Sequence, residues 1–161
     1  MAIDKVREYF KTYQMDDHIL EFDVSSATEE LAAEALQCEG KRIAKTMSFL
    51  IGDQPILIVT AGDTKIDNAK YKHFFGAKAK MISGDEVERI IGHAIGGVCP
   101  FAVNDNVKVY LDESLQRFKT VFPAAGSPNS AIELTIPELE KYSNFLQWID
   151  VCKGWQDPNT I

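Results

Sequence analysis

Residues 42–61 read Arg42-Ile-Ala-Lys-Thr-Met-Ser-Phe-Leu-Ile51-Gly-Asp-Gln-Pro-Ile-Leu-Ile-Val-Thr-Ala61. Two apolar, β-branched runs, 42–51 and 55–61, flank a Gly-Asp-Gln-Pro break, the pattern of a β-hairpin. Period-two alternation in the first run puts Ile43, Lys45, Met47, Phe49 and Ile51 on one face. Lys45 thus shares its face with large apolar side chains. Burying an unpaired ammonium is costly, so Lys45 must snorkel from the strand end, meet a carboxylate or face a polar cavity. In the last case it is available to a phosphate, a carbonyl oxygen or a carboxylate.

Around this hairpin the chain alternates short strand and helix signals. Val6, Tyr9, Phe10 and Tyr13 recur at helical spacing and predict a helix over 4–15, followed by a strand carrying Leu20, Phe22 and Val24. Ser26 and Glu29 form a capping box opening a helix with Leu31, Ala32, Ala35 and Leu36 on its apolar face, stopping at Gly40. After the hairpin come a helix from about 65 to 75, a short strand near 79–82, and a second capping box, Ser83 to Glu86. That box opens a helix bearing Val87, Ile90 and Ile91, which ends at Gly92. Strands are expected at 94–99, 107–111, 130–134 and 147–152, with a loop from Pro123 to Asn129 and a short helix capped by Thr135 and Glu138. With no repeat, low-complexity stretch or linker, residues 1–161 read as a single α+β domain: a mixed, strongly curved, barrel-like sheet surrounded by helices.

Composition narrows the function classes. The hydrophobic share of 45% and charged share of 25% are those of a globular protein with an ordinary core. No apolar run reaches the roughly 20 residues of a membrane span, and the N-terminus lacks a signal-peptide layout. Cys38, Cys99 and Cys152 are widely spaced and odd in number, which argues against a disulfide framework and for a reducing cytoplasm. A net charge of −7 disfavours broad binding to nucleic acid, DNA included. One window opposes that trend: Lys65, Lys70, Lys72, Lys78 and Lys80 face a single acid, Asp67, and form either a solvated helix face or a contact surface for phosphates.

The second informative segment is Gly92-His-Ala-Ile-Gly-Gly-Val-Cys-Pro-Phe101. Paired glycines in an apolar run cost stability, and Pro100 removes a backbone donor. Backbone of this kind either bends sharply or lets a ligand approach. Cys99 and His93 invite a thiol-nucleophile reading, but six residues of extended chain would separate them by about 20 Å. His18, His73 and His93 show no metal-ligand spacing, and no nucleophile elbow, P-loop or dinucleotide fingerprint occurs. Neither a metal nor another cofactor is expected.

Arg42-Ile-Ala-Lys-Thr-Met, Gly92-His-Ala-Ile-Gly-Gly-Val-Cys-Pro-Phe and Ala124-Ala-Gly-Ser-Pro-Asn-Ser-Ala-Ile-Glu-Leu134, in this order and spacing, resemble the YbaK/ProX family, the editing-domain relatives found free-standing or inserted in prolyl-tRNA synthetases. The similarity runs from about residue 18 to 143. The resemblance implies a free-standing hydrolase that deacylates mischarged aminoacyl-tRNA in trans, with tRNA and a synthetase as partners. It implies that Lys45 holds the substrate's 3′ end beside Thr46, and that Gly96, Gly97, Val98, Cys99 and Pro100 shape a small pocket completed by Gly126 and Ser127. Backbone N–H groups around Gly96 and Gly97, with the Lys45 cation, suit stabilisation of a developing oxyanion. Relatives acting on cysteinyl-tRNA carry an Asp where this chain has Ala131, which shifts the expected substrate toward Ala, Ser or Thr. The alternatives are a module that binds aminoacyl-tRNA or a synthetase without turnover, and a thiol hydrolase using Cys99.

Overall fold

The computed structural model describes residues 2–22 and 40–155. The Ser26–Glu29 capping box, the helix expected after it, Val24 and Cys38 lie outside the described residues. Among those described, the elements are α1 (Ala2–Lys11), β1 (Ile19–Glu21), β2 (Ile43–Ile51), β3 (Gln54–Ala61), β4 (Lys65–Ile66), α2 (Asn68–Phe75) and α3 (Gly84–Ile91). They continue with β5 (Lys108–Asp112), β6 (Thr120–Pro123), β7 (Ser130–Ile132), β8 (Leu134–Thr135), α4 (Ile136–Ser143), β9 (Gln147–Ile149) and β10 (Cys152–Lys153). This is an α+β domain on a curled, mixed sheet, with six strands in the order β8-β6-β2-β3-β5-β9. Two small antiparallel ribbons, β1–β7 and β4–β10, sit beside it.

The hairpin occupies the centre of the sheet. Ile51 pairs with Gln54, so the turn is only Gly52-Asp53 and both Gln54 and Pro55 belong to β3. Strand alternation divides the core in two. Leu57, Val59, Ala61, Val109 and Leu111 face Val6 and Phe10 of α1, Val87 and Ile91 of α3, and Leu139 and Tyr142 of α4. Phe49, Ile56, Ile58 and Tyr110 face Tyr71 of α2. Each buried aliphatic or aromatic side chain contributes about 1.5–3 kcal/mol relative to exposure, so both layers hold the sheet.

Several boundaries differ from the sequence reading. Helix α1 stops at Lys11 because Thr12–Gln14 turn back, Met15 N donating to the Phe10 carbonyl. Helix α2 starts only at Asn68, where the Asp67 carboxylate accepts from the Ala69 and Lys70 N–H groups; residues 65–66 are strand instead. Ser83 precedes α3 without a side-chain cap, and Glu86 pairs with Arg89. The Thr135–Glu138 box is complete in both directions, at 3.2 and 2.9 Å. Near 79–82 only Met81 bridges to the sheet, opposite Phe49. The strand expected at 147–152 is two strands, β9 and β10, in different sheets, and that expected at 130–134 divides into β7 and β8. Strand β6, absent from the sequence reading, lies parallel to β2.

The largest correction concerns 94–99, which is a folded-back loop and not a strand. Gly97 N–H closes a turn onto the Ala94 carbonyl at 3.0 Å. Gly96 takes φ 89°, a left-handed conformation that glycine adopts without steric cost, and Pro100 has no N–H for a ladder. No described helix is long and apolar enough to cross a membrane.

Candidate functional site

The site grows from the parallel pairing of β2 with β6. Ala44 lies opposite Pro123 and both strands advance in the same direction, so the 124–129 loop leaves β6 alongside Lys45 and Thr46. That loop is tied down by its own polar groups. The Ser127 hydroxyl lies 2.7 Å from Ser130 Oγ and 2.9 Å from Asn129 Oδ1. Asn129 Nδ2 donates to the Phe22 carbonyl at 2.9 Å, and Phe22 N–H donates to the Asn129 carbonyl at 2.8 Å.

Against this loop packs the glycine segment. A Cβ on Gly97 would stand 2.7 Å from the Gly126 carbonyl carbon and oxygen and from the Ser127 nitrogen. Backbone therefore meets backbone, and no side chain fits between. The structure thus brings Gly97, Gly126 and Ser127 together. Thr46 adds a polar group on the same side of the sheet: alternation places it with Ala44, whose cluster includes Cys99 and Ala125. Its Oγ1 is buried without a hydrogen-bond partner, and buried hydroxyls are ordinarily satisfied. Val98 packs half-buried against this cluster, and Pro100 also lines a 410 Å³ cleft with Tyr9, Tyr13 and Tyr142.

Because the segment folds back, Cys99 and His93 do not stand about 20 Å apart: Sγ lies 3.5 Å from Nε2. They still do not make a nucleophile and base. Both are fully buried. His93 Nε2–H donates to the Phe101 carbonyl at 2.6 Å, leaving its Nδ1 buried and unpartnered. Burial lowers the His93 pKa. Burial also pushes the Cys99 thiol up to about 12, against opposing contributions from the Phe101 backbone, Lys5 and the Gly126 backbone. The thiol stays protonated at neutral pH and has no path to a substrate.

Lys45 lies on the other face of β2, with Met47 and Phe49, as alternation requires. Its ammonium is half-buried and donates to the Thr64 carbonyl. Across the sheet from it lies Thr60, paired in register, whose Oγ1 is also buried and unpartnered. One strand further, the fully buried Asp112 accepts from Ser114 N–H at 3.0 Å and Val151 N–H at 2.9 Å. Cys152 sits between these charges: burial and the Asp112 carboxylate push its thiol up to about 12, with Thr64 and Lys45 opposing. Sequence reasoning missed this polar row. The Asp112-Glu-Ser114 spacing, in which an Asp side chain accepts from the N–H two residues on, was its one legible signal.

The lysine window disperses. Lys70 pairs with Asp150, Lys72 and Lys78 are exposed, and Lys80 lines a 580 Å³ cleft together with Asp53, Glu86 and Arg89. Among the described residues, no group of three or more His, Cys, Asp or Glu side chains is placed to hold a metal ion.

Comparison with known proteins agrees with this architecture. The aminoacyl-tRNA editing domain profile matches residues 23–142. The uncharacterized protein YwhH of Bacillus subtilis (strain 168) is 54% identical over 157 residues, which is 97% of this chain and 100% of that protein. The proline–tRNA ligase of Lactiplantibacillus plantarum is 28% identical over 82 residues, 50% of this chain but 14% of the ligase. A crystal structure described as a candidate trans-editing enzyme for prolyl tRNA synthetase superposes with a TM-score of 0.85 at 27% identity, covering 95% of this chain and 98% of that one. The chain belongs to the aminoacyl-tRNA editing domain family.

Proposed function

We propose that residues 1–161 form one editing domain that acts in trans, in the cytoplasm and without a cofactor, to hydrolyse mischarged aminoacyl-tRNA carrying Ala, Ser or Thr. The observation that carries this reading is the backbone-on-backbone contact of Gly97 with Gly126 and Ser127, on the face of β2 that holds the unpartnered Thr46 hydroxyl. A wall of packed backbone cannot give way to a bulky side chain, since protein interiors are close-packed. That favours a small aminoacyl group. The buried Ala131 brings no charge to the loop.

In this reading a water oxygen forms a bond to the ester carbonyl carbon, the bond from that carbon to the 3′-oxygen breaks, and the 3′-oxygen leaves with a proton. The products are free amino acid and uncharged tRNA. Gly97 N–H already serves the Ala94 carbonyl. Donation to the developing oxyanion therefore falls to the Gly96 N–H, which at a dry, prepositioned site is worth about 3–4 kcal/mol of barrier. Lys45, on the other face of β2 where its pairing with β6 ends at Ala44, holds the terminal nucleotide and not the aminoacyl group. The test is a panel of alanyl-, seryl-, threonyl- and cysteinyl-tRNAs, with Lys45→Ala as control. Hydrolysis of the small members and its loss in the variant is the expected result; no hydrolysis of any member, or an unimpaired variant, overturns the reading. Tight binding of the panel without turnover would instead identify a non-catalytic binding module.

A further inference from the structure

Strands β4 and β10 form a two-rung antiparallel ribbon in which Lys65 stands directly opposite Lys153, and Ile66 opposite Cys152. Both lysines are exposed. Two further amines converge on the same ribbon from other parts of the chain. Lys45 of β2 donates to the carbonyl of Thr64, the residue before Lys65. Lys70 of α2 donates to the carbonyl of Cys152, the residue before Lys153, at 3.0 Å. Four lysines from four elements thus meet on one short ribbon of a chain whose net charge is −7.

Like charges directly opposite each other on paired strands are destabilising. The local carboxylates offset this only in part. Lys70 pairs with Asp150. Asp67 lies near Lys153 and Lys70, yet its Oδ1 is occupied by two N–H groups of α2. Among the described residues, Lys45, Lys65 and Lys153 form no ion pair. An isolated cationic ribbon on an acidic surface confines attraction for a polyanion to one place.

We propose that the Lys65–Lys153 ribbon is a phosphate clamp for the backbone of the RNA whose 3′ end Lys45 holds. The assignment rests on the editing reading above and makes the surface of that site specific. It replaces the continuous window 65–80 with a pair 88 positions apart in sequence. Lys72, Lys78 and Lys80 are not part of it.

The experiment compares Lys65→Ala/Lys153→Ala with Lys11→Ala/Lys108→Ala, which removes the same charge from exposed positions elsewhere. Two substrates are used: full-length alanyl-tRNA, and 3′-alanyl-adenosine, which keeps the ester and lacks phosphodiesters. For the ribbon variant, kcat/KM on alanyl-tRNA is expected to fall about tenfold while that on 3′-alanyl-adenosine stays within about twofold. The slope of log affinity for uncharged tRNA against log salt should flatten by about 1.4, two single-strand phosphate contacts. Equal losses on both substrates, an unchanged salt slope, or the same effect in the control variant would overturn the clamp. If the unaltered protein hydrolyses neither substrate, the editing reading fails, and the salt slope with uncharged tRNA still decides the clamp.

Discussion

Lys45 and Thr46 are adjacent in β2 and belong to two regions built on opposite principles. On the Thr46 side, glycine backbone presses on glycine backbone, and the nearby titratable groups, His93 and Cys99, are fully buried. On the Lys45 side a row of polar side chains, Lys45, Thr60 and Asp112, crosses three strands of an otherwise apolar face. The first region is intolerant of added atoms because no space remains. The second is intolerant of removed atoms where a side chain closes buried backbone groups, as Asp112 does for the Ser114 and Val151 N–H groups. A site that must fit a small group closely and a surface that must present charge make these different demands, and one strand supplies both by alternation.

Substitutions of opposite kind test that contrast. Asp112→Ala should have the largest effect, about 3 kcal/mol of lost stability, because it leaves the Ser114 and Val151 N–H groups buried and unpaired. Urea unfolding reads this directly; a loss below about 1 kcal/mol would show the polar row to be dispensable. Gly97→Ala adds one methyl group where only backbone can move, and should cost about 1–3 kcal/mol and abolish turnover of any substrate accepted by the unaltered protein. Normal turnover in that variant would remove the glycine contact from the site.

Cys99 provides a third test, by pH. Its thiol is held up to about 12 in the folded protein, against an ordinary value of 9.0. The native state therefore binds this proton more tightly than the unfolded state. Its contribution is complete below pH 9 and is lost as pH rises from 9 toward 12. Above pH 9 the stability of the unaltered protein should fall more steeply than that of Cys99→Ala, by about 1.4 kcal/mol per pH unit. Parallel alkaline profiles would contradict the buried, protonated thiol. Cys99→Ala should also keep any turnover that the unaltered protein shows, since no step of the proposed reaction uses the sulfur.

The smallest change in stability separates the two orphan hydroxyls. Thr46→Val and Thr60→Val each remove a buried oxygen without a partner and should shift stability by less than about 1 kcal/mol in either direction. Activity should distinguish them: Thr46→Val, on the face of the glycine wall, lowers turnover and Thr60→Val retains it. Equal activities would erase the distinction between the two faces.

Much of this was legible along the chain because its causes are local. The hairpin followed from β-branched runs around Gly52-Asp53, and the Thr135–Glu138 box from two residues three positions apart. The face of Lys45 followed from alternation alone. What escaped had distant causes. Strand β6 is four residues, Thr120–Pro123, whose extended form depends on parallel pairing with residues 79 positions earlier. The 94–99 segment carries a strand-like apolar pattern, yet its hydrogen bonding turns inward and Gly97 is occupied by contact with Gly126. Asp112 is buried by Val151, 39 positions further on, which no local pattern around it announces.

By itself, the sequence determined the fold class, the family and the face on which Lys45 lies, since apolar periodicity, turn formers and ordered motifs act over a few residues. Only the tertiary structure decided that Gly97 abuts Gly126, that His93 and Cys99 are neighbours without being a catalytic pair, and that Lys65 stands opposite Lys153. The physical reason is the same in each case. Steric fit, burial and charge proximity depend on distances in space, and chain folding sets those distances between residues that the sequence leaves far apart.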